Sequence, residues 1–479
     1  MGAAKHLFGV SMYFGLYNPA PVIENRGDDF FEAAHPLPLK KDPNIMKIVL
    51  GARYSLIGNW VEEYYQSGLD TFKILGRQVV FANTPESVKY VFATKHDNYE
   101  RKSPQMRRAL ELLLGDGLFI SDGATWQRRR PLVADIVAKK RLPEFAPSME
   151  AVALALAERW RALPDGHEFE MVGEMAELTA EIISRAVFGR NLGAAAARQV
   201  IDGFTLYQKT IDSFNLGYFL GNDEGSALRL TPARRTAIHQ VHKVIEDVVN
   251  AHLEGSGDAG SMVDLLVKRN KRNPELGLDV TALRNEAATI FMAGHETTAT
   301  TLTWIWYLLA NSPWVEEALH EELHRVCGDR PATLADLDQL DWCQAIVMEA
   351  MRLYPPVPLL PRQAKEADMI EDIPVEKGAL IMIAPWLLHR AKDLWDRPTH
   401  FMPERFLNGA KPEPYSYIPF SAGPRICPGM NFGLAEAVLC LAILAQNFKV
   451  RIRKGYKVTP VCRLTLRPEG GLPVTVVRR

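Results

Sequence analysis

Phe420-Ser421-Ala422-Gly423-Pro424-Arg425-Ile426-Cys427-Pro428-Gly429 places one cysteine just ahead of an apolar helix, in a loop framed by glycines and a single arginine. The pattern F-x-x-G-x-R-x-C-x-G fixes too many positions to be met by chance at ordinary residue frequencies. An inert buried cysteine is the commonest fate of an intracellular thiol, but it calls for none of these neighbours. A thiolate ligand of haem iron calls for all of them. A helix beginning at Pro428 points its N–H groups and positive dipole end back at the sulfur, which favours the thiolate. Gly423 permits a tight turn, and Gly429 lets the backbone approach a flat ring closely. Arg425 supplies donors for a haem propionate, and Phe420 shields the sulfur from water and oxidants. Zinc is the poorer reading, because it wants clustered ligands at short spacing. The nearest cysteine, Cys440, lies about three and a half turns further along the same helix.

The rest of the chain supports a large, single folded unit. Its 479 residues are 47% hydrophobic, with a formal net charge of -1 that gives no reason to expect nucleic acid as a partner. No Pro/Gly/Ser-rich linker divides it, and no 20–50-residue repeat is apparent. The longest flexible stretch, Glu254–Ser261, reads as one loop between helices. We therefore expect one domain over 1–479, with 1–40 as an N-terminal extension packed on it or loosely attached. The odd count of five cysteines reads as a reduced intracellular protein. The apolar stretch Leu7–Tyr17 is too short and too polar to span a bilayer and lacks a signal-peptide cleavage site. The expectation is a cytoplasmic chain without a transmembrane segment; peripheral membrane contact through residues 7–17 is the other reading.

Local signals predict mostly helix with a few short strands. Thr71–Leu75 and Gln78–Phe81 flank Gly76-Arg77 as a hairpin, and Thr84 caps a helix whose first residue is Pro85. Residues from about 280 to 310 read as one long apolar helix ending at Asn311-Ser312-Pro313. Ser312 is placed to cap the next helix, Pro313–Val326. A helix through Cys343–Leu353 stops before Pro355-Pro356. The tail from Val458 to Val477 alternates like strands, with Gly470-Gly471 as a turn.

These motifs resemble the cytochrome P-450 superfamily over nearly the whole chain, which looks like a soluble bacterial-type member. The resemblance implies a mainly α fold with small β-sheets, a triangular helical prism enclosing haem b (iron protoporphyrin IX). In mid-helix stands Ala293-Gly294-His295-Glu296-Thr297-Thr298, whose polar residues and glycine are poor choices for a buried helix. A polar face at a helix crossing is one reading. Physically, Gly294 leaves room beside the helix, and the Thr297 hydroxyl can bond back to the Ala293 carbonyl, loosening the ladder and opening a groove. The resemblance implies that this segment, Ala293 included, crosses the oxygen-binding face of the haem. Thr297 would then hydrogen-bond dioxygen while Glu296 relays protons to it.

Glu349 and Arg352 share a helix face at i, i+3; alone such a pair is usually solvated. The resemblance joins them to Arg405 of Pro403-Glu404-Arg405-Phe406 as a buried structural ion network. Trp126 and Arg130 match the family's W-x-x-x-R, a spacing that aims an indole N–H and a guanidinium at one propionate. Arg362 is a further candidate for that work, and no histidine follows Arg130 where the family often has one. Arg128 and Arg129 are expected to face solvent near Cys427, as a docking face for an acidic electron donor or as an ordinary basic surface. By family position the substrate pocket draws on Pro104–Leu118, Ile290–Thr297, Val357–Leu360 and Gly470–Leu472, with Phe204–Leu220 in a mobile lid. Their apolar character favours a hydrophobic small molecule.

The implied activity is a haem-thiolate monooxygenase that hydroxylates or epoxidises such a molecule with O2 as co-substrate. Its electrons come from NAD(P)H through a separate donor, a ferredoxin, a flavodoxin or a diflavin reductase, and the chain is expected to be a monomer. A peroxide-driven or isomerising haem-thiolate enzyme is the first rival, against which Glu296 and Thr297 argue. A non-catalytic haem sensor or ligand carrier is the second.

Overall fold

From the N-terminal side, Leu69–Ile74 (β1) and Arg77–Ala82 (β2) pair as an antiparallel hairpin in this computed structural model, which describes residues 22–23, 30–40, 51, 54–66, 68–189, 194–209, 231–462 and 464–479. The turn is Leu75-Gly76, one residue earlier than expected, because Arg77 pairs with Ile74. Both turn residues have positive φ, 48° and 85°. That mirror-image turn matches the twist of the strands, and glycine occupies it without penalty. Thr84 then caps Pro85–Lys89, its Oγ1 accepting from the Ser87 N–H at 3.0 Å.

The helices follow as α1 (Pro104–Leu114), α2 (Gly123–Ile136), α3 (Leu142–Arg161), α4 (Met171–Phe188), α5 (Ala194–Lys209), α6 (Pro232–Leu253), α7 (Met262–Arg272), α8 (Val280–Ala310), α9 (Pro313–Cys327) and α10 (Asp341–Leu353). Strands β3 (Leu360–Gln363) and β4 (Leu380–Ile383) complete a four-stranded sheet in the order β1-β2-β4-β3. Last come α11 (Met430–Ala445), the hairpin β5 (Pro460–Cys462) and β6 (Leu466–Pro468), and β7 (Pro473–Arg478). Gly470-Gly471 is the expected turn, with φ of 71° and 92°. Residues 7–17, most of 1–40 and 210–220 of the expected lid lie outside the described residues. Of the extension, Phe31 and Ala33 are tied to the main body, where the Phe401 N–H donates to the Phe31 carbonyl and the Ala33 N–H to that of Thr399, each at 2.9 Å.

Helix α8 is the axis of the molecule. It is apolar on nearly every side, as a core helix must be, and packs against α4, α6, α10 and α11. Asp279 starts it, the side chain accepting from the Ala282 N–H at 2.7 Å. The Thr297 hydroxyl does bond back to the Ala293 carbonyl, at 2.7 Å, and α8 runs as one helix from Val280 to Ala310. Thr300, Thr301 and Thr303 back-bond in the same way. A carbonyl has two lone pairs, so each hydroxyl adds to the helical bond instead of displacing it. The space beside Gly294 is also filled: a Cβ there would lie 2.7 Å from Ile183 Cδ1 on α4. This glycine serves close helix packing.

Two end-signals differ from expectation. Ser312 occupies the position before α9, but its side chain makes no cap bond and its Oγ has no partner among the described residues. Regular helix in α11 begins at Met430, two residues after Pro428, because Gly423–Arg425 and the residues following form a separate tight loop.

Candidate active site

The cysteine loop is closed by its own backbone. The Cys427 N–H donates to the Phe420 carbonyl at 2.9 Å, and the Ile426 N–H to that of Gly423 at 3.0 Å. Gly423 has a φ of 68°, and a Cβ there would overlap the Phe92 carbonyl oxygen, so the position excludes every other residue. Gly429 is less constrained within the chain: its Cβ would stand 3.9 Å from Cys427 Sγ. Four of the five free cysteines are buried, and Cys427 is the one that is not fully buried. Burial pushes its thiol pKa up, while the Gly429 N–H, Arg130 and Lys102 pull it back down. The helix N-terminus thus acts on the sulfur as expected, but against a larger desolvation cost.

Around that sulfur the chain gathers cations. Arg425 lays its guanidinium over the Trp126 ring, 4.5 Å from the centroid. It donates to the Ser121 carbonyl at 3.0 Å, leaving Nε without a partner among the described residues. Arg362 on β3 is 1% exposed; among the described residues its side chain donates to the Pro361 carbonyl and stacks 4.8 Å from the Phe92 ring. Burial and the repulsion of Arg425 lower its pKa to about 9. Lys102, unrecognised in the sequence, belongs to the same group. A bridge pairs its backbone with that of Arg362, and its ammonium sits 4.7 Å over the Phe119 ring. Burial, then Arg362 and Arg425, hold its pKa well below the ordinary lysine value. Arg130 lies close enough to Cys427 to feel its charge.

Against these cations stands Glu100, 3.5 Å from Arg425 and shared with Lys365 at 3.2 Å. Buried cations demand anions. Two propionates beside the Cys427 thiol meet that demand, so the residues present fit haem b.

On α8, Ala293 is exposed and Thr297, one turn on, is half-buried, whereas their neighbours Met292, His295, Glu296 and Thr298 are buried. One face of a core helix therefore opens onto space at these two residues. Glu296 points elsewhere. It meets the Arg467 guanidinium and the Thr465 hydroxyl of the β5–β6 hairpin. His295 is 4% exposed, and burial lowers its pKa to about 4, so the ring is neutral at pH 7. Helix α11 reaches α8 just past Thr297: the Thr298 hydroxyl donates to Glu436 at 3.3 Å. Glu436 is fully buried with Oε1 unpartnered, and burial raises its pKa to about 8. Gly471 turns toward Glu170, whose carboxylate accepts from the Leu472 N–H at 2.9 Å. The hairpin residues Thr465 and Arg467 are the ones that reach α8.

Glu349, Arg352 and Arg405 do come together. Arg352 forks onto Glu349 at 2.7 and 2.8 Å, both residues 0% exposed. Arg405 Nε stands 3.4 Å from Glu349 Oε1. Arg352 also donates to the carbonyls of His389, Pro398 and His400. Arg129 does not face solvent. It is 8% exposed, forks onto Asp116 at 2.9 Å and reaches Glu286 on α8 at 3.1 Å. Helical rotation of about 100° per residue turns Arg129 inward and leaves Arg128 exposed.

Comparison with known proteins gives the family. The family Cytochrome P450 matches residues 46–473. The chain is 30% identical to cyclooctatin synthase of Streptomyces melanosporofaciens over 81% of its length and 84% of that protein. It is 29% identical to a cytokinin hydroxylase of Arabidopsis thaliana, covering 80% of this chain and 76% of the relative. The crystal structure of the cytochrome P450DA haem domain superposes with a TM-score of 0.74 at 24% identity, over 86% of this chain and 90% of that one. No described helix is long and apolar enough to cross a membrane. The chain belongs to the cytochrome P450 family and is a haem-thiolate monooxygenase.

Proposed function

We propose that Cys427 Sγ would hold the iron of haem b, and that Lys102, Trp126, Arg130, Arg362 and Arg425 would receive its propionates. Phe420, Gly423 and Gly429 shape the loop, and Ala293, Glu296 and Thr297 form the oxygen side. The observation that carries this is Cys427, the one cysteine that is not fully buried, set among buried cations that the chain leaves short of carboxylates. When bound, the haem supplies the iron at which O2 is reduced and split. The protein residues do the rest. Thr297 Oγ1 donates to the Ala293 carbonyl at 2.7 Å and keeps lone pairs for a second hydrogen bond. Glu296, a carboxylate paired with Arg467, relays protons toward that face. Glu349, Arg352 and Arg405 fix α10 against the segment that leads to the cysteine loop.

The substrate in this reading is a hydrophobic small molecule, hydroxylated or epoxidised beside Ala293 and Thr297. Relatives named for cytokinin and cyclooctatin chemistry support a small-molecule substrate. Two electrons reach the site from NAD(P)H through a separate ferredoxin, flavodoxin or diflavin reductase. The chain works as a single cytoplasmic catalytic domain and a monomer. The test is product formation from a panel of apolar compounds, driven by NADPH with surrogate redox partners and, separately, by hydrogen peroxide alone. Turnover is expected with NADPH; efficient turnover with peroxide only would overturn the proposal.

A further inference from the structure

We propose that Arg467 is the positioning residue for Glu296: with Thr465 it holds the carboxylate on the β5–β6 side of α8, and the proton that Glu296 gives up is replaced from solvent at that contact. The inference rests on the reading of Glu296 as proton source. Adjacent residues on a helix point about 100° apart, and here they diverge in partner as well. Thr297 bonds within α8 beside the exposed Ala293, while Glu296 is drawn to the hairpin. Arg467 Nε also donates to Thr465 Oγ1 at 3.2 Å, so the three side chains form one cluster.

Of the three side chains, that of Arg467 is the one most open to solvent among the described residues. The Arg467 side chain is 36% exposed and that of Glu296 7%. A carboxyl so deeply placed must be reprotonated through whatever touches both it and water. The hairpin is itself anchored to the site's walls: the Leu466 N–H donates to the Pro356 carbonyl at 3.1 Å, and Trp304 Nε1 of α8 donates to the Leu466 carbonyl at 2.9 Å. Arg467 therefore approaches Glu296 from a fixed frame. One proton enters from bulk water for each that leaves Glu296, the carboxyl returns to its starting state, and no electron moves in the exchange.

The experiment uses haem-loaded full-length protein with a ferredoxin and ferredoxin reductase pair and NADPH, following O2 consumption in H2O and D2O. Arg467→Met is expected to slow O2 consumption about 10- to 100-fold, a part of the about 100- to 10,000-fold that a positioned acid–base group contributes, and to enlarge the solvent isotope effect. Arg467→Lys recovers part of the rate. Arg467→Gln serves as the neutral variant should Arg467→Met fail to fold. The double variant Arg467→Met/Glu296→Gln is expected to be no slower than Glu296→Gln, because Arg467 acts through Glu296 alone. Infrared difference spectra of glutamate-labelled protein give a readout independent of turnover. Arg467→Met should shift a carboxyl band that is missing from the double variant. A rate loss in Glu296→Gln with none in Arg467→Met, fully additive losses, or an unshifted carboxyl band each overturn the inference. No effect of Glu296→Gln itself overturns the underlying assignment instead.

Discussion

Glu349→Gln is the substitution on which the packing argument makes its largest claim. The side chain keeps its size and loses its charge. In the structure Glu349 is the acceptor for two charge-assisted bonds from Arg352, for the Met402 N–H at 2.9 Å, and for the 3.4 Å approach of Arg405. Arg352 is 0% exposed and has no route to water. Breaking a buried pair from one side costs about 3–5 kcal/mol. Arg352 keeps three carbonyl partners and the Trp395 ring at 5.1 Å, which argues for the middle of that range, about 4 kcal/mol. That is about a thousandfold in the folding equilibrium, set against a total stability of about 5–15 kcal/mol for typical proteins. Arg405→Met removes the longer contact together with hydrogen bonds to the Arg397 carbonyl and the Met402 sulfur, from a side chain 13% exposed, and should cost about 1–2 kcal/mol. The assay is the denaturant midpoint of purified protein together with the fraction recovered haem-loaded. The expected order is Glu349→Gln far below Arg405→Met, which lies just below the parent. A Glu349→Gln protein as stable and as fully loaded as the parent refutes the reasoning.

Three further outcomes follow from the geometry. Thr297→Ala should keep its haem spectrum while diverting NADPH-derived electrons to hydrogen peroxide, and Thr297→Ser should restore coupling; unchanged coupling in Thr297→Ala removes the hydroxyl from the proposed chemistry. Gly423→Ala should fail to give haem-loaded protein, since it must relieve both a positive φ and an overlap with Phe92, whereas Gly429→Ala should fold and reveal its defect in haem retention. Equal behaviour of the two variants would mean that loop closure and ring approach are not separate demands. Glu436 has a folded-state pKa near 8 against an ordinary 4.5, so the native state binds the extra proton between those values. Its stabilising contribution is complete below the unfolded pKa and is lost as pH rises toward 8. Denaturant midpoints at pH 5 and pH 8 should therefore fall more for the parent than for Glu436→Gln, and identical slopes would contradict the assignment.

What could be read from the sequence was chemistry that tolerates few residue types. A thiol, a glycine with positive φ, a hydroxyl and an acid in mid-helix, and an i, i+3 ion pair each announce themselves by type and spacing. Partnerships between distant stretches did not. Lys102 is one basic residue in a basic run, and only the fold, which bridges its backbone to Arg362, buries it. Arg467 sits in a tail that alternates like any strand, and its meeting with Glu296 depends on where the β5–β6 hairpin docks. Arg128, Arg129 and Arg130 are alike in sequence, and helix rotation plus the positions of Asp116 and Glu286 decide which one turns inward. Local rules also missed where a neighbour outweighed them. The hairpin turn moved one residue because pairing of Arg77 with Ile74 fixed it.

The most direct measurement is the absorbance spectrum of the reduced, carbon-monoxide-treated protein, parent beside Cys427→Ser. Thiolate ligation by Cys427 predicts the strongly red-shifted Soret band in the parent and its loss in the variant. A colourless parent, a parent band at the unshifted position of nitrogen-ligated haem, or a shifted band that persists in Cys427→Ser would contradict it.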